Sequence, residues 1–148
     1  NLIYGPAYKG IALSALITSE LNTKNIDFAY NRKETKDHGE GGSIVGAELE
    51  GDVMIIDDVI TAGTAIREAV QILTGNGAKL SGIAVAMDRQ EKGTGELSAI
   101  QEIEQSYQIT VVSIIDLQNI IDYLSNTNDA ELEKHLDSVA AYRKEYGV

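Results

Sequence analysis

The sequence predicts an α/β fold with a largely parallel central sheet flanked by helices. Three observations carry this. Short runs rich in Val and Ile alternate with segments whose apolar residues fall at helical spacing. The run Val53-Met54-Ile55-Ile56 is apolar without alternation, which suits a strand covered on both faces of a parallel sheet. Glycines, Pro6 and capping residues punctuate the chain between these segments. A length of 148 residues is enough for one domain, spanning 1–148, with a real core.

Leu2-Ile3-Tyr4 reads as the last part of a strand. Because the chain opens at Asn1 without Met, the expectation is that the sequence starts inside a larger protein. Gly5-Pro6-Ala7-Tyr8-Lys9-Gly10 is a turn with one cation, and on its own it is an ordinary strand-to-helix loop. A helix follows, with Leu13, Leu16, Ile17 and Leu21 on one face. Ile26 to Tyr30 reads as a short strand. From Arg32 to Gly42 no apolar side chain appears, glycines gather at the end, and Arg32, Lys33 and Lys36 are the densest cations of the chain. Most such charge runs are solvated hairpin tips. Ser43 to Glu48 is the expected returning strand, and Glu50-Gly51-Asp52 turns into the central one.

After that strand, Ile66, Ala69, Val70 and Leu73 mark a helix stopped by Gly75-Asn76-Gly77. Leu80 to Met87 is the next buried strand. Leu97, Ile100, Ile103 and Tyr107 suggest a helix, and Ile109 to Ile115 a strand rich in β-branched residues. Asp116 can cap a helix bearing Leu117, Ile120, Ile121 and Leu124. Asn126-Thr127-Asn128 breaks it. One last helix carries Leu132, Leu136, Val139 and Tyr142, with His135 as an exposed helix residue.

Composition narrows the function classes. The net charge is −11, from 23 acidic against 12 basic residues, which disfavours general nucleic-acid affinity because that rests on cationic phosphate contacts. Cysteine is absent, so disulfides and Cys-based metal sites are excluded, as fits a cytoplasmic protein. No apolar run approaches membrane-spanning length, and no signal peptide is visible.

The chemistry concentrates where the central strand ends. Asp57 and Asp58 close the strand, and Thr61-Ala62-Gly63-Thr64-Ala65 turns into a helix. The first N–H groups of a helix have no internal partner and its dipole favours negative charge there. The small residues let a phosphate reach that backbone, and Thr61 and Thr64 add hydroxyl donors. Adjacent carboxylates repel phosphate but accept hydrogen bonds from sugar hydroxyls. Phosphate at the turn and a ribose diol at the acids describe a ribose 5-phosphate. The bland alternative makes Thr61 a helix cap and the acids a solvated strand end. Arg89 follows a second strand in Asp88-Arg89-Gln90-Glu91, and ligands of open parallel sheets bind beyond the carboxyl ends of strands. From position alone it is equally a surface Arg paired with Asp88 or Glu91.

VMIIDDVITAGTA resembles the phosphoribosyl pyrophosphate (PRPP) motif of the type I phosphoribosyltransferases. GPAYKG, DRQE, the ending AYRKEYGV and above all RKETKDHGEGG are similar to the orotate phosphoribosyltransferases, and the resemblance runs from Gly5 to Val148. It implies a homodimer with shared active sites that makes orotidine 5′-monophosphate and pyrophosphate from orotate and PRPP, with Mg²⁺, in pyrimidine nucleotide synthesis. On this resemblance Thr61, Ala62, Gly63, Thr64 and Ala65 hold the 5′-phosphate, Asp57 and Asp58 the ribose hydroxyls, and Val59 and Ile60 belong to the same PRPP site. Tyr8 and Lys9 meet pyrophosphate. Arg32, Lys33, Lys36 and His38, on a mobile catalytic loop, stabilise the leaving charge, with Lys36 the largest contributor. Thr61 and Arg89 face orotate. The guanidinium fork matches a carboxylated pyrimidine. Mg²⁺ takes oxygen ligands and keeps waters, so substrate oxygens can supply most of its shell, and no direct protein ligand is named. The family's N-terminal segment, which helps cover the site, has no counterpart in these residues.

Two rivals share the PRPP motif. One is a phosphoribosyltransferase for another nucleobase. The other is a PRPP-sensing regulator that binds RNA. It needs a basic face, against which stand the net charge and the intact RKETKDHGEGG.

Overall fold

The computed structural model describes residues 1–21, 25–36 and 42–148, the side chains of residues 35 and 36 excepted. Strand β1 (Leu2–Gly5) turns into helix α1 (Lys9–Glu20), which returns to β2 (Asp27–Lys36). β3 (Gly42–Gly46) pairs antiparallel with β2. Then come β4 (Asp52–Val59), α2 (Thr64–Gly75), β5 (Lys79–Asp88), α3 (Ala99–Tyr107), β6 (Val111–Asp116) and α4 (Leu117–Asn126). Two last helices, α5 (Ala130–Glu133) and α6 (Leu136–Tyr146), complete the chain.

The α/β expectation holds. The strands form one six-stranded sheet in the order β3-β2-β1-β4-β5-β6, parallel everywhere except at β3. From β1 the chain moves outward to β2 and β3, then crosses back to β4 on the other side of β1. The order therefore reverses between β1 and β4, and the crevice beyond their carboxyl ends is where such sheets bind ligands.

Alternation along the strands sorts side chains to two faces. Leu2, Tyr4, Val53, Ile55, Ile83 and Val85 point to one face, where they pack with Ile66, Ala69, Val70 and Leu73 of α2 and Ile100 and Ile103 of α3. These are the helical positions the spacing picked out. On the opposite face α1 lies against β1 and β4. Glycine permits its close approach: a Cβ on Gly5 would stand 2.4 Å from the Gly10 carbonyl oxygen, and one on Gly10 would stand 2.8 Å from that of Ile56.

Three local expectations need correction. α1 buries Gly10 and Ser14 against the sheet, while Leu16 is 67% exposed, because close backbone approach selects small residues over the leucine stripe. β2 does not end at Tyr30 but continues through Lys36, with an irregular register against β3 between Asn31 and Lys36. Ladder hydrogen bonds there involve backbone alone, so a strand can form without apolar alternation. The last helix divides at a turn over Lys134 and His135, leaving His135 exposed at the junction. α3 begins with a capping box: Ser98 Oγ accepts from the Gln101 N–H at 3.1 Å, and the Ser98 N–H donates to Gln101 Oε1 at 2.9 Å. Asp116 caps α4 as expected, its carboxylate accepting from the Asn119 N–H at 2.7 Å.

Candidate active site

A cavity of about 290 Å³ opens at the point where the strand order reverses. Pro6 and Ala7 wall it after β1, Asn31 and Lys33 from β2, and Asp57 and Val59 from β4. Ile60, Thr61, Gly63, Thr64 and Ala65 form its rim, and Glu68 of α2 closes one side. Three separate stretches of sequence thus meet around one space.

The turn after β4 is built for an anion. Ile60 is buried and pins the turn to the core, while Thr61 and Thr64 are exposed. Gly63 caps α2 with φ 73°, in the left-handed region, and no side chain hydrogen-bonds the helix start. The first-turn N–H groups therefore remain for a ligand, supported by the helix dipole. Thr61 is not the helix cap that the bland reading required. Arg67 braces the turn from behind, donating to the Ala62 carbonyl at 2.5 Å and to Glu102 at 3.4 Å.

Asp57 and Asp58 have different surroundings. Neighbouring residues of a strand point to opposite faces. Asp57 lines the cavity and accepts a hydrogen bond from the Asp58 N–H at 2.9 Å. Burial pushes its pKa above the usual carboxylate value, and the nearby Asp58 charge adds to this. Asp58 pairs with Lys9 Nζ at 2.5 Å. Burial opposes its ionisation too, but the Lys9 hydrogen bond and charge prevail and hold its pKa below the ordinary value. Lys9, 73% exposed, is held protonated by the same pair. A ligand that brings hydroxyls for Asp58 and anionic oxygens for Lys9 can take over both partners together.

Cations approach from the other strands. Lys33 lines the cavity, and its ammonium stands 5.2 Å from the Tyr8 ring centroid, within cation–π range. Arg32, one residue earlier, borders a neighbouring groove with Glu68 and Gln71. Arg89 follows β5 as expected but does not line this cavity; its Nη2 donates to Glu91 Oε2 at 3.1 Å, the pairing that its position also allowed. Its charge opposes protonation of Lys9, which places both in one electrostatic neighbourhood. The Lys36 side chain and His38 lie outside the described residues.

Sequence reasoning missed Asn31 and Glu68. Asn31 Oδ1 accepts the Ala7 N–H at 3.1 Å and so ties the turn after β1 to β2. Nothing in Tyr30-Asn31-Arg32 marks this, because the partner lies 24 residues away. Glu68 falls one turn inside α2, and its helical spacing from Thr64 and Ala65 was the available signal. Together these residues offer an anion seat, a carboxylate for hydroxyls and nearby cations, an arrangement able to hold a phosphorylated sugar and stabilise a departing anionic group.

Known proteins resemble this chain in sequence and in fold. A family model described as "Phosphoribosyl transferase domain" matches residues 2–114. The orotate phosphoribosyltransferase of Pseudomonas aeruginosa is 53% identical over 151 residues, covering all of this chain and 70% of that protein. That of Marinobacter nauticus is 55% identical over 150 residues with the same coverage. The crystal structure of orotate phosphoribosyltransferase from Francisella tularensis superposes with a TM-score of 0.80 at 36% identity, covering 99% of this chain and 70% of that one.

Proposed function

This chain belongs to the orotate phosphoribosyltransferase family, and from that premise we propose how its site transfers the phosphoribosyl group of PRPP to orotate, giving orotidine 5′-monophosphate and pyrophosphate. The observation that carries the reading is the uncapped start of α2 sharing one cavity with Asp57. The turn from Thr61 to Ala65 takes the 5′-phosphate, and Asp57 accepts a hydrogen bond from a ribose hydroxyl. Asp58 exchanges Lys9 for the other hydroxyl, and Lys9 turns to pyrophosphate beside Tyr8. As the bond between ribose C1 and pyrophosphate breaks, a base nitrogen bonds to C1. Positive charge grows on the sugar, favoured by the nearby carboxylates. Negative charge grows on pyrophosphate, favoured by Arg32, Lys33, Lys36 and His38. Arg89 and Thr61 orient orotate.

Mg²⁺ belongs to the same proposal. Mg²⁺ takes oxygen ligands and keeps waters, so substrate oxygens would carry most of its shell beside Asp57, the carboxylate of β4 that faces the cavity. Bound there, it would neutralise pyrophosphate charge. A homodimer with shared sites and a cytoplasmic setting complete the reading. No described helix is long and apolar enough to cross a membrane.

Arg89→Lys in the full-length protein tests the base assignment. It keeps the charge and loses the planar fork. The KM for orotate is expected to rise roughly tenfold while that for PRPP stays within about twofold, reflecting one bidentate contact. Equal weakening of both ligands would make Arg89 structural.

A further inference from the structure

The loop that carries Arg89 is held by the end of the chain. The Lys92 N–H donates to the Tyr146 carbonyl at 2.8 Å, and the Val148 N–H donates to the Gln90 carbonyl at 3.0 Å. Glu91 and Gly147 face each other across this antiparallel bridge. Side chains extend the contact. Glu91, only 17% exposed, gives Oε2 to Arg89 Nη2 at 3.1 Å and accepts the Tyr142 hydroxyl at Oε1. The Tyr142 ring packs on Tyr146, with centroids 4.9 Å apart. Arg89 Nε is buried without a hydrogen-bond partner, and among the described residues Glu91 is the guanidinium's one hydrogen-bond acceptor.

This geometry fixes the guanidinium from one side only. A planar fork aims its free donors in a direction set by whichever edge is tied. Here the tie is a carboxylate whose second oxygen belongs to α6. A carboxylate with both oxygens engaged by different elements cannot rotate without breaking one contact. The orientation of Arg89 therefore depends on a hydroxyl 53 positions further along the chain. Tyr142 falls within the ending AYRKEYGV, but nothing in that stretch shows which distant residue its hydroxyl meets.

We propose that Glu91 and Tyr142 are positioning residues for base recognition, through which the C-terminal helix aims the Arg89 fork into the active site. This rests on the reading that Arg89 meets orotate. Tyr142 itself touches no substrate. Its effect passes through Glu91 and should fall on the base alone.

The test is a double-mutant cycle in the full-length enzyme, with KM measured separately for orotate and PRPP. Tyr142→Phe keeps the ring against Tyr146 and removes the hydroxyl. It is expected to raise the orotate KM about three- to tenfold, the net scale of one ordinary hydrogen bond, and to leave the PRPP KM within about twofold. In an Arg89→Ala background the same change should do nothing further, because contacts acting through one residue are not additive. Glu91→Gln, which keeps the shape and one acceptor oxygen, should shift the orotate KM in the same direction. The proposal is overturned if Tyr142→Phe leaves the orotate KM unmoved, raises both KM values alike, or keeps its full effect without Arg89. If Arg89→Ala alone leaves the orotate KM unchanged, the assignment of Arg89 to the base fails first, and the positioning role falls with it.

Discussion

Asp57 carries a cost that its neighbour does not. Both acids lie at the end of β4, but Asp58 meets Lys9 at 2.5 Å, while among the described residues Asp57 accepts a hydrogen bond from one backbone N–H alone. Burial therefore raises the pKa of Asp57 in the folded chain above its unfolded value. The linkage has a definite sign. At neutral pH both states are ionised, and the folded state bears the penalty of a half-buried charge. As pH falls through the raised folded value toward the ordinary one, the folded state takes up its proton first and the penalty disappears. Asp57→Asn should accordingly raise Tm near pH 7, with the advantage shrinking as pH is lowered through that window, while PRPP binding weakens sharply. Thermal unfolding of the two proteins across pH 4 to 7, beside PRPP titration, checks this. A Tm that falls at pH 7 would mean that Asp57 stabilises the fold rather than straining it for function.

Elements were legible wherever apolar residues set the pattern. The core strip of α2 (Ile66, Ala69, Val70 and Leu73) is buried as spaced, and Val53 and Ile55 lie fully inside the sheet. What escaped is what backbone and distant partners decide. β2 runs on through Arg32 and Lys33 because its ladder with β3 needs no apolar side chain. α1 turns its leucines partly outward because Gly5 and Gly10 let the backbones touch. Within the site, the phosphate turn and both acids could be read from local sequence. The Asn31–Ala7 and Tyr142–Glu91 contacts could not, since each joins residues far apart in sequence, whereas the Arg89–Glu91 pair was among the options position allowed. Ser98 also went unread, although Ser98 and Gln101 have capping-box spacing. Only 4% exposed, Ser98 starts the helix that supplies Ile100 and Ile103 to the core and Glu102 to Arg67. Ser98→Ala is expected to cost about 1 kcal/mol by chemical denaturation with the slope unchanged. A change under about 0.3 kcal/mol would mean that the cap is replaced by another acceptor.

At the scale of the whole molecule, the parallel sheet brings the turn after β1, the end of β4 and the loop after β5 to one rim, so that the contacts proposed for pyrophosphate, for phosphate with diol, and for the base come from three separate crossovers. A net charge of −11 makes the cations near this rim a local exception. If the catalytic loop reaches into a second subunit, two inactive proteins should rescue each other. Lys36→Ala in one chain and Asp57→Asn with Asp58→Asn in another leave each hybrid dimer one intact site. With full exchange at equal amounts about half the dimers are hybrids, and activity should recover to about a quarter of wild type per site. No recovery despite exchange proven by mass spectrometry would mean that each loop serves its own subunit. The central claim is simpler than any of these, namely that this site joins orotate, and not another base, to PRPP. It is tested most directly by incubating the full-length protein with PRPP, Mg²⁺ and either orotate, uracil or hypoxanthine, and following base loss and pyrophosphate release together. The account predicts equal amounts of orotate consumed and pyrophosphate formed, with neither uracil nor hypoxanthine consumed. Consumption of uracil or hypoxanthine in preference to orotate would contradict it.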